Sequence, residues 1–368
     1  MHTGAFSVEK GSQSTKKTFN QRKENAMKGK FAVYGLIIAV LVLGGLHSAL
    51  AGTWTPATDL PIALAGHSVQ CADDPTSFYV VGGIRNYTRS SNRVYRYDIA
   101  AASWEQLDNL PTTVRAMGLT CYEGKIYAAG GYVKEAAGNN DKSGIFNGFY
   151  IYDIASDNWS KGANLPDKVW GAALGAWEGK LYLVGGTRIS EPYTPESRVD
   201  VYNIISGKWT AGGGAEMPVA ASFPASTQVG AYLYVVGGAS GNLDQNVNQT
   251  QRYDMSQDTW EIGPEFTSAR MLGGLAATDS HLYMLGGDLN GGDAFNPTNL
   301  VDVLDLSAWP EGAWVAGTPL PANNLGTATA CSEILNDGEI WDVGGLDITP
   351  MWELTDTVYF LPVEEGCP

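Results

Sequence analysis

Apolar and polar positions alternate in short blocks along residues 53–362. Six largely apolar runs, FYVV, IYAA, LYLV, LYVV, LYML and IWDV, each end on a glycine pair. The pairs are Gly82-Gly83, Gly130-Gly131, Gly185-Gly186, Gly237-Gly238, Gly286-Gly287 and Gly344-Gly345, spaced 48, 55, 52, 49 and 58 residues apart. Short apolar runs bounded by glycine predict strands buried on both faces. A polar loop follows each pair, then a strand ending at Tyr97-Asp98, Tyr152-Asp153, Tyr202-Asn203, Tyr253-Asp254 or, more weakly, Leu304-Asp305. Tryptophans come next at Trp104, Trp159, Trp209, Trp260 and Trp314, and then Leu110-Pro111, Leu165-Pro166, Met217-Pro218 and Leu320-Pro321. The fourth unit has Glu265-Phe266 there instead.

Each unit therefore predicts four strands. A lone four-stranded sheet leaves both faces open, whereas sheets stacked in a ring cover one another. A period near 50 with four strands per unit resembles the kelch repeat rather than the shorter WD40 repeat. The resemblance runs from Thr53 to Pro362 and implies an all-β, six-bladed kelch-type β-propeller around a central channel. The glycine pairs, tyrosines and tryptophans are then packing residues. Trp54 precedes Leu60-Pro61 at the offset that separates Trp104 from Leu110-Pro111, while the sixth unit ends at Thr357–Leu361 with no tryptophan. The N-terminal strand around Trp54 is thus expected to complete the C-terminal blade and close the ring.

The chain ahead of this array reads differently. Residues 1–26 are polar and basic, an expected disordered extension upstream of a second possible start at Met27. Residues 27–51 carry a basic start, an apolar run from Phe31 to Leu46 and Ala49-Leu50-Ala51, which has the pattern of a signal peptide. Cleavage would leave 52–368 as a secreted or periplasmic propeller. An uncleaved leader would anchor it to a membrane through residues 31–51. The 317 residues after Ala51 hold 16 Lys/Arg and 37 Asp/Glu, a net charge of −21. So acidic a surface repels phosphate backbones, which excludes nucleic acid as a partner, and a monomer is expected.

Little of the sequence carries reaction chemistry. Past the leader only His67 and His281 remain, too few and too far apart for a common zinc site. Galactose oxidase, a copper enzyme built on kelch repeats, needs two histidines and two tyrosines together. His67 on an inner strand and His281 in a hairpin turn are not expected to meet, so no cofactor is expected. The loop Asp288–Asp293 is acidic but lacks the bidentate glutamate of an EF-hand, and Asn86 and Asn248 begin glycosylation-type triplets. Cys71, Cys121, Cys331 and Cys367 all follow the leader, where export permits disulfides. Cys71 and Cys331 hold equivalent places in their units, and a bridge from Cys367 to either would pin the C-terminus.

The loops after the glycine pairs and those after the Leu-Pro pairs fall on one face, where kelch proteins bind partners. Exposed aromatics and arginines on loops are binding-type residues. They nominate Arg85, Tyr87, Arg89, Arg115, Lys168, Trp170, Arg188, Arg270 and Trp352, with Tyr193 and Phe223 beside them. Arg115 and Arg270 match a frequent basic position of the kelch repeat, and Lys168 falls there too. The expected function is ligand binding, to a protein or glycan and in particular an anionic one. The alternative is a cofactor-free sugar enzyme, because sialic-acid mutarotases resemble this chain as exported six-bladed kelch proteins. Its acid and base would come from Glu135, Asp141, Glu191, Glu196, Asp244, Asp288 or Asp293.

Overall fold

The computed structural model describes Met1 and residues 52–71, 74–85, 89–134, 144–190, 192–291, 295–334, 337–347 and 353–367, without the side chains of 66–71, 189–190, 333–334 and 337. The leader, Tyr87, Trp352 and the triplet at Asn86 lie outside them. Gly52–Pro368 forms one compact unit. Its six antiparallel blade sheets, five of four strands and that of blade one with the short Arg89–Ser90 as a fifth, are the blades expected from the repeat. From the inside outward, blade one is Ala65–Cys71, Asp74–Arg85, Val94–Asp98 and Ser103–Gln106. Blade two is Gly118–Tyr122, Lys125–Ala129, Phe149–Asp153 and Asn158–Lys161. Blade three is Ala173–Trp177, Lys180–Val184, Val199–Asn203 and Lys208–Gly214. Blade four is Ala225–Val229, Tyr232–Val236, Thr250–Asp254 and Thr259–Ile262. Blade five is Gly274–Ala277, His281–Leu285, Val301–Asp305 and Val315–Ala316. Blade six is Ala328–Ile334, Asp337–Asp347, Glu353–Val363 and, from the other end of the chain, Thr55–Pro56.

Neighbouring innermost strands touch all round the ring, the last against the first. The glycine pairs are the joints between blades. In all six, the second glycine donates its N–H to a carbonyl of the next blade's lead-in loop, at 2.7–3.1 Å. The acceptors are Val114, Val169, Ala221, Arg270, Asn324 and, across the closure, Leu64. Both glycines have positive φ, and a Cβ on the first would lie within 2.8 Å of that same carbonyl. No other residue fits both the conformation and the space.

The tryptophans repeat as regularly. Each indole N–H crosses a blade seam to a backbone carbonyl: Trp104 to Thr58, Trp159 to Asp108, Trp209 to Ala163, Trp260 to Ala215 and Trp314 to Pro264. Trp54 does the same to Thr318 at 3.0 Å, and Thr55 and Pro56 pair with Phe360 and Tyr359. In the fourth unit, buried Phe266 fills the place of the leucine.

Cys367 is bonded to Cys331, which ties the tail to the first hairpin of blade six. The side chain of Cys71 lies outside the description, and Cys121 is also disulfide-bonded. The Cys331–Cys367 crosslink closes a loop of 36 residues. Replacing both with serine is expected to cost about 2–4 kcal/mol, read as a lower midpoint in urea unfolding. An unchanged midpoint would mean that the crosslink does not restrain the unfolded chain.

Candidate binding face

The residue after each acceptor carbonyl extends the inner strands toward the loop face. Arg115, Trp170, Ser222, Met271 and Leu325 each pair antiparallel with the residue following their own blade's glycine pair, namely Tyr132, Thr187, Ala239, Asp288 and Leu346. In blade one, Ala65 pairs with Ile84. The next residue inward takes left-handed φ at Ala116 (52°), Gly171 (62°), Phe223 (54°), Leu272 (56°) and Gly326 (64°). Consecutive members of this set are joined by backbone hydrogen bonds of 2.7–3.1 Å, running round the channel from Ala116 to Gly326. Glycine suits that conformation, whereas a bulky side chain there is strained by about 1–2 kcal/mol. Phe223 and Leu272 hold it all the same, and such strain concentrates at functional sites.

The side chains set on this ring form an aromatic wall over blades two to four. The Trp170 ring centroid lies 4.9 Å from Tyr132, 5.7 Å from Tyr193 and 4.8 Å from Phe223. Half-buried Leu272 and Phe295 continue the wall and join it to a second apolar group with Ile84 and Leu354. The Arg115 guanidinium stands over the Tyr132 ring at 5.1 Å, and burial lowers its pKa. No carboxylate pairs with it among the described residues. The Trp170 indole nitrogen is buried with no hydrogen-bond partner among the described residues. Two donors therefore flank the wall without an acceptor among the described residues.

The remaining nominated cations divide. Lys168 and Arg89 are exposed, and Arg85, half-buried, stands opposite Arg89 at the end of its strand. Arg270 and Arg188 correct the sequence reading. Arg270 is fully buried. Its Nε donates to Gly286 O at 2.7 Å, its Nη2 to Met284 O at 3.2 Å and its Nη1 to Ser268 O at 3.1 Å, and it pairs with Asp302 at 2.7 Å. Asn324, its counterpart in blade six, likewise donates to Gly344 O. Arg188, 5% exposed, is held between Glu196 (2.6 Å) and Asp200 (3.2 Å), and Asp200 is shared with Arg198. These two arginines are framework residues. Arg115 and Arg270, equated in the sequence, sit one residue apart in register, so alternation turns one to the loop face and the other into the blade.

The channel cavity is about 130 Å³ and is lined by Met117, Leu174, Phe223, Leu272, Thr327 and other small or apolar residues, with no ionisable side chain among the described residues. Small-molecule sites run to about 300–1,000 Å³. Among the described residues, the carboxylates considered for proton transfer (Glu196, Asp244 and Asp288) do not supply a pair there. Glu196 is neutralised by Arg188, and the Asp288 carboxylate accepts the N–H groups of Gly291 and Asn296. Glu135, Asp141, Glu191 and Asp293 lie outside the described residues. At the first hairpin of blade five, His281 Nδ1 meets both Glu365 (2.8 Å) and Ser280 (3.0 Å). A nucleophile relay needs the two ring nitrogens separately, so this cluster is a clasp on the tail. Thr250 of the Asn248 triplet is buried and accepts the Trp314 indole N–H, which closes it to modification in the folded protein.

A Kelch motif is matched at residues 75–111, 115–166 and 220–267. The chain is 25% identical over 222 residues to Kelch-like protein terF of Aspergillus terreus, covering 58% of this chain and 47% of that protein. It is 25% identical over 211 residues to Beta-scruin of Limulus polyphemus, covering 56% and 22%. It is 27% identical over 183 residues to human Kelch repeat and BTB domain-containing protein 12, covering 47% and 29%. The chain thus spans less than half the length of these relatives. Three matched motifs, together with six blades built on one glycine and tryptophan pattern, make this chain a six-bladed kelch-type β-propeller.

Proposed function

We propose that this protein is an exported binding module that takes a protein partner on the loop face over blades two to four. The observation that carries the reading is the wall of Tyr132, Trp170, Tyr193 and Phe223 beside an Arg115 that no described acid neutralises. Apolar walls with aromatic anchors contribute most of the affinity in interfaces. A guanidinium and an indole N–H at its edge call for acceptors. The partner on this reading presents an Asp or Glu carboxylate to Arg115 and Lys168, beside an aromatic or aliphatic side chain that packs on Trp170. The narrow channel, whose described lining carries no charge, favours a segment lying across the face over a sugar enclosed within it.

A peptide and glycan array probed with the full chain tests this. Acidic peptides with a neighbouring apolar residue should be retained. Arg115→Glu and Trp170→Ala should each weaken the captured ligand by about 2–5 kcal/mol while leaving the melting temperature within a degree or two. Capture of only neutral or cationic ligands, or binding indifferent to both substitutions, would overturn the assignment.

A further inference from the structure

Asp342 lies in the second strand of blade six, with its carboxyl buried and no cation against it among the described residues. Asn324 Nδ2 is 3.3 and 3.2 Å from its two oxygens, and Thr327 Oγ1 is 2.5 Å from Oδ1. The Thr327 oxygen also lies 3.1 Å from the Ala328 carbonyl and accepts the Val343 N–H at 3.3 Å. A hydroxyl has one proton to give. If Asp342 is ionised, its charge is buried against two neutral donors, Thr327 and Asn324, with no cation among the described residues to offset it. If Asp342 is protonated, it donates to Thr327, Thr327 donates to Ala328, and every group is matched.

Among the described residues, the surroundings supply no charge to reverse this. Thr329 and Tyr359 stand opposite Asp342 on the flanking strands. On blade five, Tyr283, His281 and Asp305 share one side of the sheet, with His281 paired to Glu365, while Arg270 is committed to Asp302. Glu339, Asp347, Glu353 and Asp356 lie on the strands of blade six itself, and none forms an ion pair with Asp342. Burial raises the carboxyl from the ordinary 3.8 to about 6, although the bonds from Thr327 and Asn324 pull the other way.

We infer that Asp342 keeps its proton into mildly acidic solution, and that loss of this proton loosens the joint between blades five and six and the channel wall beside it. Asn324, which touches both carboxyl oxygens, is that joint. Its carbonyl accepts the Gly287 N–H at 2.8 Å, and its side chain holds Gly344 O and the Leu346 N–H. Thr327 lines the channel, and Leu346 belongs to the apolar group around it. Because the folded pKa lies above the unfolded one, this stabilisation is complete below about pH 3.8. It is lost as the pH rises to about 6, and is flat above that.

Carboxyl-carbon NMR of the full chain labelled on aspartate tests the inference. One resonance, absent from Asp342→Asn, should titrate near pH 6. The wild-type folding equilibrium should also fall relative to that variant by roughly a hundredfold between pH 4 and 7. No aspartate titrating above the ordinary range, or parallel stability curves for the two proteins, would overturn it. If Asp342→Asn does not fold, the wild-type titration alone decides, since ordinary aspartates are ionised well below pH 6.

Discussion

Replacing Arg270 with alanine is expected to cost the fold about 3–5 kcal/mol, the usual penalty for removing one partner of a buried ion pair. The substitution would leave Asp302 without its cation. It would also strip donors from the carbonyls of Ser268, Met284 and Gly286, two of which belong to the strand and glycine pair of blade five. The Arg270 carbonyl meanwhile holds the glycine pair of blade four at 3.1 Å, so the damage falls on a blade seam. Urea unfolding should show it as a lower midpoint. Arg270→Met combined with Asp302→Leu, which removes both charges, should recover most of the loss. Arg115→Ala, by contrast, breaks no ion pair and should change stability by no more than about 0.5 kcal/mol. An Arg270→Ala protein of unchanged stability would show that this arginine does not hold the seam.

That contrast marks where the sequence was legible. The glycine pairs announced themselves because two demands, positive φ and a carbonyl of the next blade against the α-carbon, leave glycine alone. Trp54 and its sister tryptophans were legible because each fills the same seam and meets the same kind of carbonyl. The arginines were not. Whether a basic residue in the lead-in loop reaches solvent or the blade interior depends on a register of one residue, and Lys168, Arg270 and Arg115 stand at three successive positions relative to the acceptor carbonyl. Nothing in their local sequence fixes that register. The aromatic wall was half legible. Trp170, Tyr193 and Phe223 stood out as loop aromatics, but Tyr132, Leu272 and Phe295 were not among the residues nominated. Only the left-handed ring through Phe223 and Leu272 gathers them. Asp342 was silent, because IWDV reads as a core strand and its missing partner is a matter of three dimensions.

Removing Gly52–Pro56 is expected to be as costly as losing Arg270, by a different route. Trp54 is 7% exposed, and its loss is that of a core tryptophan, about 3–5 kcal/mol. The Trp54 bond to Thr318 disappears with it, as does the bond from the Thr318 hydroxyl to Gly52 O. Thr55 and Pro56 would no longer cover Phe360 and Tyr359, so Glu353–Val363 becomes an edge strand of 11 residues. An edge of that length invites pairing with a second copy. The shortened protein should therefore melt lower and run as concentration-dependent oligomers in size-exclusion chromatography. Trp54→Ala alone keeps the strand pairing and separates the two effects, being less stable yet monomeric. A monomeric truncation with an unchanged melting temperature would mean that the ring is closed by the contacts of the innermost strands and the Leu64 carbonyl alone.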